Sequence, residues 1–168
     1  MGQAISLKNI QGKWKSNDGQ YTVYLANTCL KKMLMLALDH NPCEVGTSLI
    51  GYYALHGFDA YITDIAPLPS DSKGSRFTFF RGINGLKKFF EKLNGVHYLG
   101  EWHSHPCGRP NPSDQDIRSQ FAIANDKLAN CSEGILVIIG GELKFDPQIT
   151  ICVISRESGL IKLIPEDE

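Results

Sequence analysis

The sequence lacks any run able to cross a bilayer: its longest unbroken apolar stretch lies within Met33 to Leu38, far short of the ~20 residues a membrane helix needs. The first twenty residues carry no apolar core either, which sets a secretory signal aside. An excess of charge of one sign is also missing. Lys plus Arg number 17 and Asp plus Glu 18, for a formal net charge of -1, so the field that draws proteins to nucleic acid or to anionic lipid is absent. Neither nucleic acid nor a membrane is expected as a partner. The Met1-Gly2 start formally fits a myristoylation pattern, but no polybasic patch adjoins it to supply a second anchor, so the match is read as chance.

Paired cysteines are missing too. Cys29, Cys43, Cys107, Cys131 and Cys152 are odd in number and never spaced C-x-x-C, which excludes a disulfide framework and a cysteine-rich zinc site. A reducing, cytoplasmic setting follows. The chain has no H-E-x-x-H, which removes the zincin mechanism. It has no H-x-E and no second cysteine at the required spacing after Cys107, which removes a zinc nucleobase deaminase. A cysteine peptidase needs one Cys matched in space to a His, and here the cysteines are read as small inert core or loop residues.

What is present fits a globular chain of 168 residues with 42% hydrophobic and 21% charged residues, the size of one ordinary domain. Residues 1 to 20 show no sustained period and read as an irregular lead-in. Tyr21 to Leu25 reads as a strand. Asn27 and Thr28 can cap a helix whose stripe is Leu30, Met33, Leu34, Ala37 and Leu38, ended by Asn41-Pro42. Strands are expected at Thr47 to Leu55 and Ala60 to Ile65, with His56 to Asp59 as the turn between them. Pro67 to Ser75 reads as a loop suited to a mobile flap beside a site, and Arg76 to Phe80 as a short strand. A helix bearing Ile83, Leu86, Phe89, Phe90 and Leu93, a strand over Val96 to Trp102 and a helix from Asp114 to about Lys127 follow. Three late strands, Gly134 to Ile139, Ile149 to Ile154 and Leu160 to Ile164, precede a short acidic tail at 165 to 168. The sum is a single mixed α/β domain.

The chemistry is concentrated in Glu101-Trp102-His103-Ser104-His105-Pro106, followed by Ser113-Asp114-Gln115-Asp116. Alternate strand residues share a face, so His103 and His105 can present both imidazoles to one point. After a Pro-rich loop the chain enters a helix whose first turn carries Asp116. Two nitrogens and one oxygen leave a tetrahedral zinc one open position, the pattern of a hydrolytic site. Ser113 and Asp116 also read as an ordinary helix cap, a role compatible with catalysis. A base outside the ligand set is needed, and both Glu101 and Glu44 qualify by position.

These residues resemble the JAMM metalloproteases, also called the JAB or MPN domain, whose active members carry a Glu and then His-x-His-x7-Ser-x-x-Asp. His103, His105, Ser113 and Asp116 match that spacing. The stretch Glu44-Val45-Gly46-Thr47-Ser48-Leu49-Ile50-Gly51 resembles the family's upstream Glu-x-Gly-Gly-apolar-Leu-x-Gly, with Thr47 in place of the second Gly and Ser48 in place of the apolar residue. The resemblance covers roughly residues 21 to 155. It implies a cytidine-deaminase-like α/β core with a curved, mostly antiparallel sheet flanked by helices. It also implies one zinc on His103, His105 and Asp116, Glu44 rather than Glu101 as base, and Ser113 as oxyanion donor. The implied substrate is an isopeptide or peptide bond after the C-terminus of a ubiquitin-like modifier or conjugated protein. Gly100 to Pro106, with Glu101 where related eukaryotic subunits usually have an aromatic residue, is more similar to bacterial members. Among these it is similar to the peptidases of CBASS antiphage operons, which release a nucleotide-synthesising enzyme from targets to which a ubiquitin-ligase-like partner has joined it. The alternative is a non-catalytic MPN-like scaffold within a larger assembly.

Overall fold

The computed structural model describes residues 12–54, 56–106, 108–126, 131 and 133–166. The Met1-Gly2 start and Cys107, both singled out above, lie outside them. Among the described residues, eleven strands and three helices follow in the order β1 (Lys13–Lys15), β2 (Thr22–Leu25), α1 (Asn27–His40), β3 (Gly46–Tyr53), β4 (Asp59–Ile65), β5 (Lys73–Gly74) and β6 (Phe79–Phe80). Then come α2 (Leu86–Glu91), β7 (His97–His105), α3 (Asp114–Asn125), β8 (Glu133–Glu142), β9 (Asp146–Ser155), β10 (Gly159–Lys162) and β11 (Ile164–Pro165). Nine strands form one sheet ordered β10-β9-β8-β7-β3-β4-β2-β1-β11, and β5 and β6 form a separate hairpin. Only β2 with β4 and β7 with β8 run parallel; the other pairs are antiparallel. The expected mixed α/β architecture with a mostly antiparallel sheet is therefore the observed one.

Alternation along the central strands assigns the two faces. On β8, Ile135, Val137 and Ile139 join the main core under α1, while Leu136 and Ile138 pack with Cys152, Ile154 and the α3 residue Phe121 on the other face. Burial on both faces makes β8 an unbroken apolar run instead of an alternating one. The α1 stripe Leu30, Met33, Leu34 and Ala37 is buried as its period requires. On the α3 side of the sheet, α2 sets Phe89 and Phe90 against Ile50 and Ala66. Between α3 and the β5–β6 hairpin a cavity lies over β7, and there the site forms.

The structure corrects several local expectations, among them the start of the acidic tail and the strand before it, since Ile164–Pro165 forms its own strand β11 against β1 and the Glu166 amide donates to the Lys13 carbonyl. Part of the supposed lead-in is β1, which pairs with both β2 and β11 and buries Trp14; a three-residue Lys-Trp-Lys strand is too short to register as a period. Asn27 is the first helical residue and not the cap, since Ala26 stands at the cap position with its amide on the Ile62 carbonyl. Ile83 lies outside α2 and is exposed, because the Ile83 and Asn84 amides bond to the Asp71 carboxylate. The segment from Pro67 onward is not simply loop: Lys73–Gly74 pairs with Phe79–Phe80 in an antiparallel hairpin.

Candidate metal centre and its surroundings

His103 and His105 leave β7 on one face, as strand alternation requires. Their Nε2 atoms lie 3.0 Å apart. The chain then turns into α3, where Asp116 sets Oδ1 3.3 Å from His103 Nε2 and Oδ2 3.6 Å from His105 Nε2. Ligands held ~2.0–2.2 Å from a tetrahedral zinc stand about 3.3–3.6 Å from one another; the two carboxylate–imidazole separations, each to a different Asp116 oxygen, fall in that range, and the imidazole pair at 3.0 Å is tighter. Two imidazole N–H groups cannot face each other at 3.0 Å without repulsion, so the arrangement suits a proton or a cation shared among the three groups. The tautomer agrees: His105 Nδ1 donates to the Arg109 carbonyl at 3.2 Å, which leaves Nε2 with its lone pair toward the cluster.

Asp116 has two tasks on two sides. Its Oδ2 accepts the Ser113 amide at 2.7 Å, and its own amide donates to Ser113 Oγ at 3.1 Å, a reciprocal capping box at the start of α3. Burial alone raises the Asp116 carboxyl. The neighbouring His103 and His105 imidazoles, with the Ser113 amide, outweigh it and hold the group well below the usual carboxylate range.

Glu44 precedes β3 and enters the same cavity, with Oε1 3.9 Å from His105 Nε2. It is nearly buried, and desolvation raises its pKa against the pull of the two histidines, while Asp116 adds to the rise. Gly46 makes this approach feasible. A Cβ there would stand 2.1 Å from the Trp102 carbonyl and 2.7 Å from His103 Cβ, so any side chain would drive β3 away from the histidine strand. Glu44, His103, His105, Ser113 and Asp116 thus line one cavity of about 500 Å³, walled opposite α3 by the β5–β6 hairpin.

Glu101 shares the histidine face but is committed elsewhere. It accepts Arg81 Nε at 2.9 Å, Tyr98 OH at 2.9 Å and Ser48 Oγ at 3.1 Å. Of the two glutamates eligible by position, Glu44 is the one without such a network. The two departures at Thr47 and Ser48 also acquire a physical reason. Each faces its register partner on β7: Thr47 Oγ1 accepts Trp102 Nε1 at 2.8 Å in the core, and Ser48 donates to Glu101 on the site face. Arg81, Tyr98 and the hairpin contacts were not foreseen from sequence; the pairing of an unusual Ser48 with an unusual Glu101 was the available signal.

A model of prokaryotic homologues of the JAB domain matches residues 27–150. The chain belongs to the prokaryotic JAB family. One relative, from Enterobacter hormaechei and named CD-NTase/cGAS isopeptidase, is 32% identical over 161 residues, covering 95% of this chain and 88% of its own. Another of that name, from Vibrio cholerae, is 28% identical over 145 residues, covering 83% and 88%. The solution structure of a Desulfitobacterium hafniense protein superposes with a TM-score of 0.59 at 24% identity, covering 83% of this chain and 88% of that one, a likeness of fold.

Three of the cysteines fit the inert reading, and Cys43 is a half-buried free thiol. Cys29, Cys131 and Cys152 are buried free thiols, and burial pushes them up to about 12, 11 and 11 respectively. Among the described residues no helix is long and apolar enough to cross a membrane.

Proposed function

We propose that the chain is a zinc-dependent isopeptidase that releases a conjugated protein by hydrolysing the amide that joins its C-terminus to a target. The observation that carries this reading is the convergence of two imidazoles and a carboxylate within 4.8 Å of one another, beside an uncommitted glutamate. The isopeptidase names of relatives that align along most of their length support it. His103 Nε2, His105 Nε2 and one Asp116 oxygen would hold the metal. When bound, zinc supplies Lewis-acid polarisation of the scissile carbonyl and makes water a better nucleophile near neutral pH.

Every other role falls to the chain's own residues. Glu44 takes a proton from the attacking water and returns it to the departing lysine amine; burial raises its basicity for that exchange. Ser113 keeps its hydroxyl hydrogen free while Oγ accepts the Asp116 amide, so it can donate to a developing oxyanion without giving up the cap. We take residues 1–168 as one catalytic unit acting in the cytoplasm. The substrate proposed is a nucleotidyltransferase of the kind named in the relatives, joined to its target by a ubiquitin-transfer-like partner enzyme. A ubiquitin-like modifier is the second substrate class.

The deciding experiment incubates the protein, with and without added zinc, with C-terminal fusions of such a nucleotidyltransferase and of ubiquitin-like proteins. Cleavage after the conjugated C-terminus, read by mass and absent in Glu44→Gln, is the expected result. Metal uptake with no cleavage of any fusion would favour the scaffold reading instead.

A further inference from the structure

The β5–β6 hairpin is closed across its own base and fastened to the rest of the molecule at two further places. At its base, Asp71 accepts the Ile83 and Asn84 amides at 3.1 and 2.9 Å, and Ser72 Oγ accepts the Gly82 amide at 3.0 Å. At its exit, Arg81 bonds to Glu101 on the histidine strand. Its other attachment is to Glu44 itself. The Glu44 amide donates to the Ser75 carbonyl at 2.7 Å, and the Glu44 carbonyl lies so close to Gly74 that a Cβ there would be 2.1 Å away. Both main-chain polar groups of Glu44 therefore face the hairpin, while its side chain faces the metal-ligand cluster.

We infer that Arg81 is a positioning residue: its ion pair with Glu101 latches the hairpin to β7, and the latched hairpin sets the main chain, and so the carboxylate, of Glu44. This rests on the reading of Glu44 as base given above. Glu101 is buried at the sheet face and its oxygens are met by Arg81, Tyr98 and Ser48, so a hairpin displaced from β7 would take the one charged donor among these partners from a buried carboxylate. Arg81 also donates through Nη1 to the Gly82 carbonyl at 3.1 Å, which orients the guanidinium along the hairpin's exit. A general base has to stand within hydrogen-bond reach of the proton it takes, and a displacement of about 1 Å can cost on the order of 10²-fold in rate. Losing the latch should therefore act on turnover more than on substrate capture.

The test uses the zinc-loaded full chain and the variants Arg81→Met, Arg81→Lys and Glu101→Gln. Three readouts are taken: steady-state kinetics on a cleaved fusion, bound metal, and exchange of the Glu44 amide. In Arg81→Met, kcat should fall roughly 10- to 100-fold with KM within about threefold and metal unchanged. The Glu44 amide should exchange at least about tenfold faster, because its bond to Ser75 opens with the hairpin. Arg81→Lys, which keeps the charge but not the fork, should recover part of both effects. Glu101→Gln should shift both in the direction of Arg81→Met, and it stands as the test if Arg81→Met does not fold. Wild-type kcat and wild-type Glu44 exchange in these variants, or a rise in KM alone, would overturn the proposal. If the native protein cleaves no fusion, the isopeptidase reading fails by itself, and Glu44 exchange still tells whether the latch holds that residue.

Discussion

Ser104 and Val45 are tied twice: the Val45 amide donates to Ser104 Oγ at 3.1 Å, and the Ser104 amide donates to the Val45 carbonyl at 2.8 Å. The residue between the two histidines thus holds the residue that follows Glu44. Ser104 is fully buried, so Ser104→Ala leaves the Val45 amide without its acceptor and should cost about 1–3 kcal/mol of stability. Turnover should fall as well while metal content stays near one per chain. Denaturant unfolding alongside kinetics checks this, and unchanged stability would show that the bond carries no net weight.

Glu44→Gln keeps the shape of the side chain and removes its basicity. Metal content and the unfolding midpoint should remain at wild-type values while kcat drops about 10²–10⁴-fold. Near-normal turnover would remove Glu44 from the reaction and return attention to Glu101.

His103→Ala and Asp116→Ala each delete one ligand atom, and both should lower bound zinc as measured on the purified protein. Asp116→Ala should also destabilise the start of α3, since the capping box goes with it. Chelation of the wild type should abolish cleavage, and added zinc should restore it. Full metal retention in both variants would sink the ligand assignment.

Ser113 is expected to serve two functions, and two substitutions separate them. Ser113→Ala loses cap and hydroxyl together and should cost about 1 kcal/mol, whereas Ser113→Gly costs only a few tenths as a cap. If the hydroxyl stabilises an oxyanion, both variants should lose comparable turnover despite their different stabilities. Turnover that follows stability alone would leave Ser113 a cap.

Asp71 is half-buried, and the amides of Asn84 and Ile83 hold its carboxyl below the ordinary value. A group with a depressed folded pKa contributes stability above its unfolded pKa and loses it as pH falls through the folded value. The Ile83 and Asn84 amides should therefore be protected from exchange near pH 6 and lose protection progressively below about pH 4. Asp71→Asn should remove that pH dependence, and protection that persists unchanged at low pH would show that the carboxylate does not hold the turn.

Much of this site was legible because its signals are local. His103 and His105 sit two apart on a strand and Ser113 and Asp116 three apart at a helix start, so alternation and capping fix their directions before any tertiary contact forms. The α1 stripe and the β8 run were legible for the same reason. Glu44 was different: its distance to His105 depends on β3 pairing with β7 across some sixty residues, and local pattern left it level with Glu101. Arg81 was invisible because its partner is set by a hairpin of two-residue strands, too short for a period. Trp14 in β1 escaped notice for that reason as well.

The Ser48–Glu101 pair bears on how this chain can change over generations. An aromatic side chain at 101 would leave the Ser48 hydroxyl and the Arg81 guanidinium facing an apolar ring, and an apolar residue at 48 would take a donor from a buried carboxylate. Each single step is penalised while the joint step, made together with a change at 81, need not be. Positions 48, 81 and 101 should therefore drift as a linked set, and homologues of this chain should hold either all three polar groups or none.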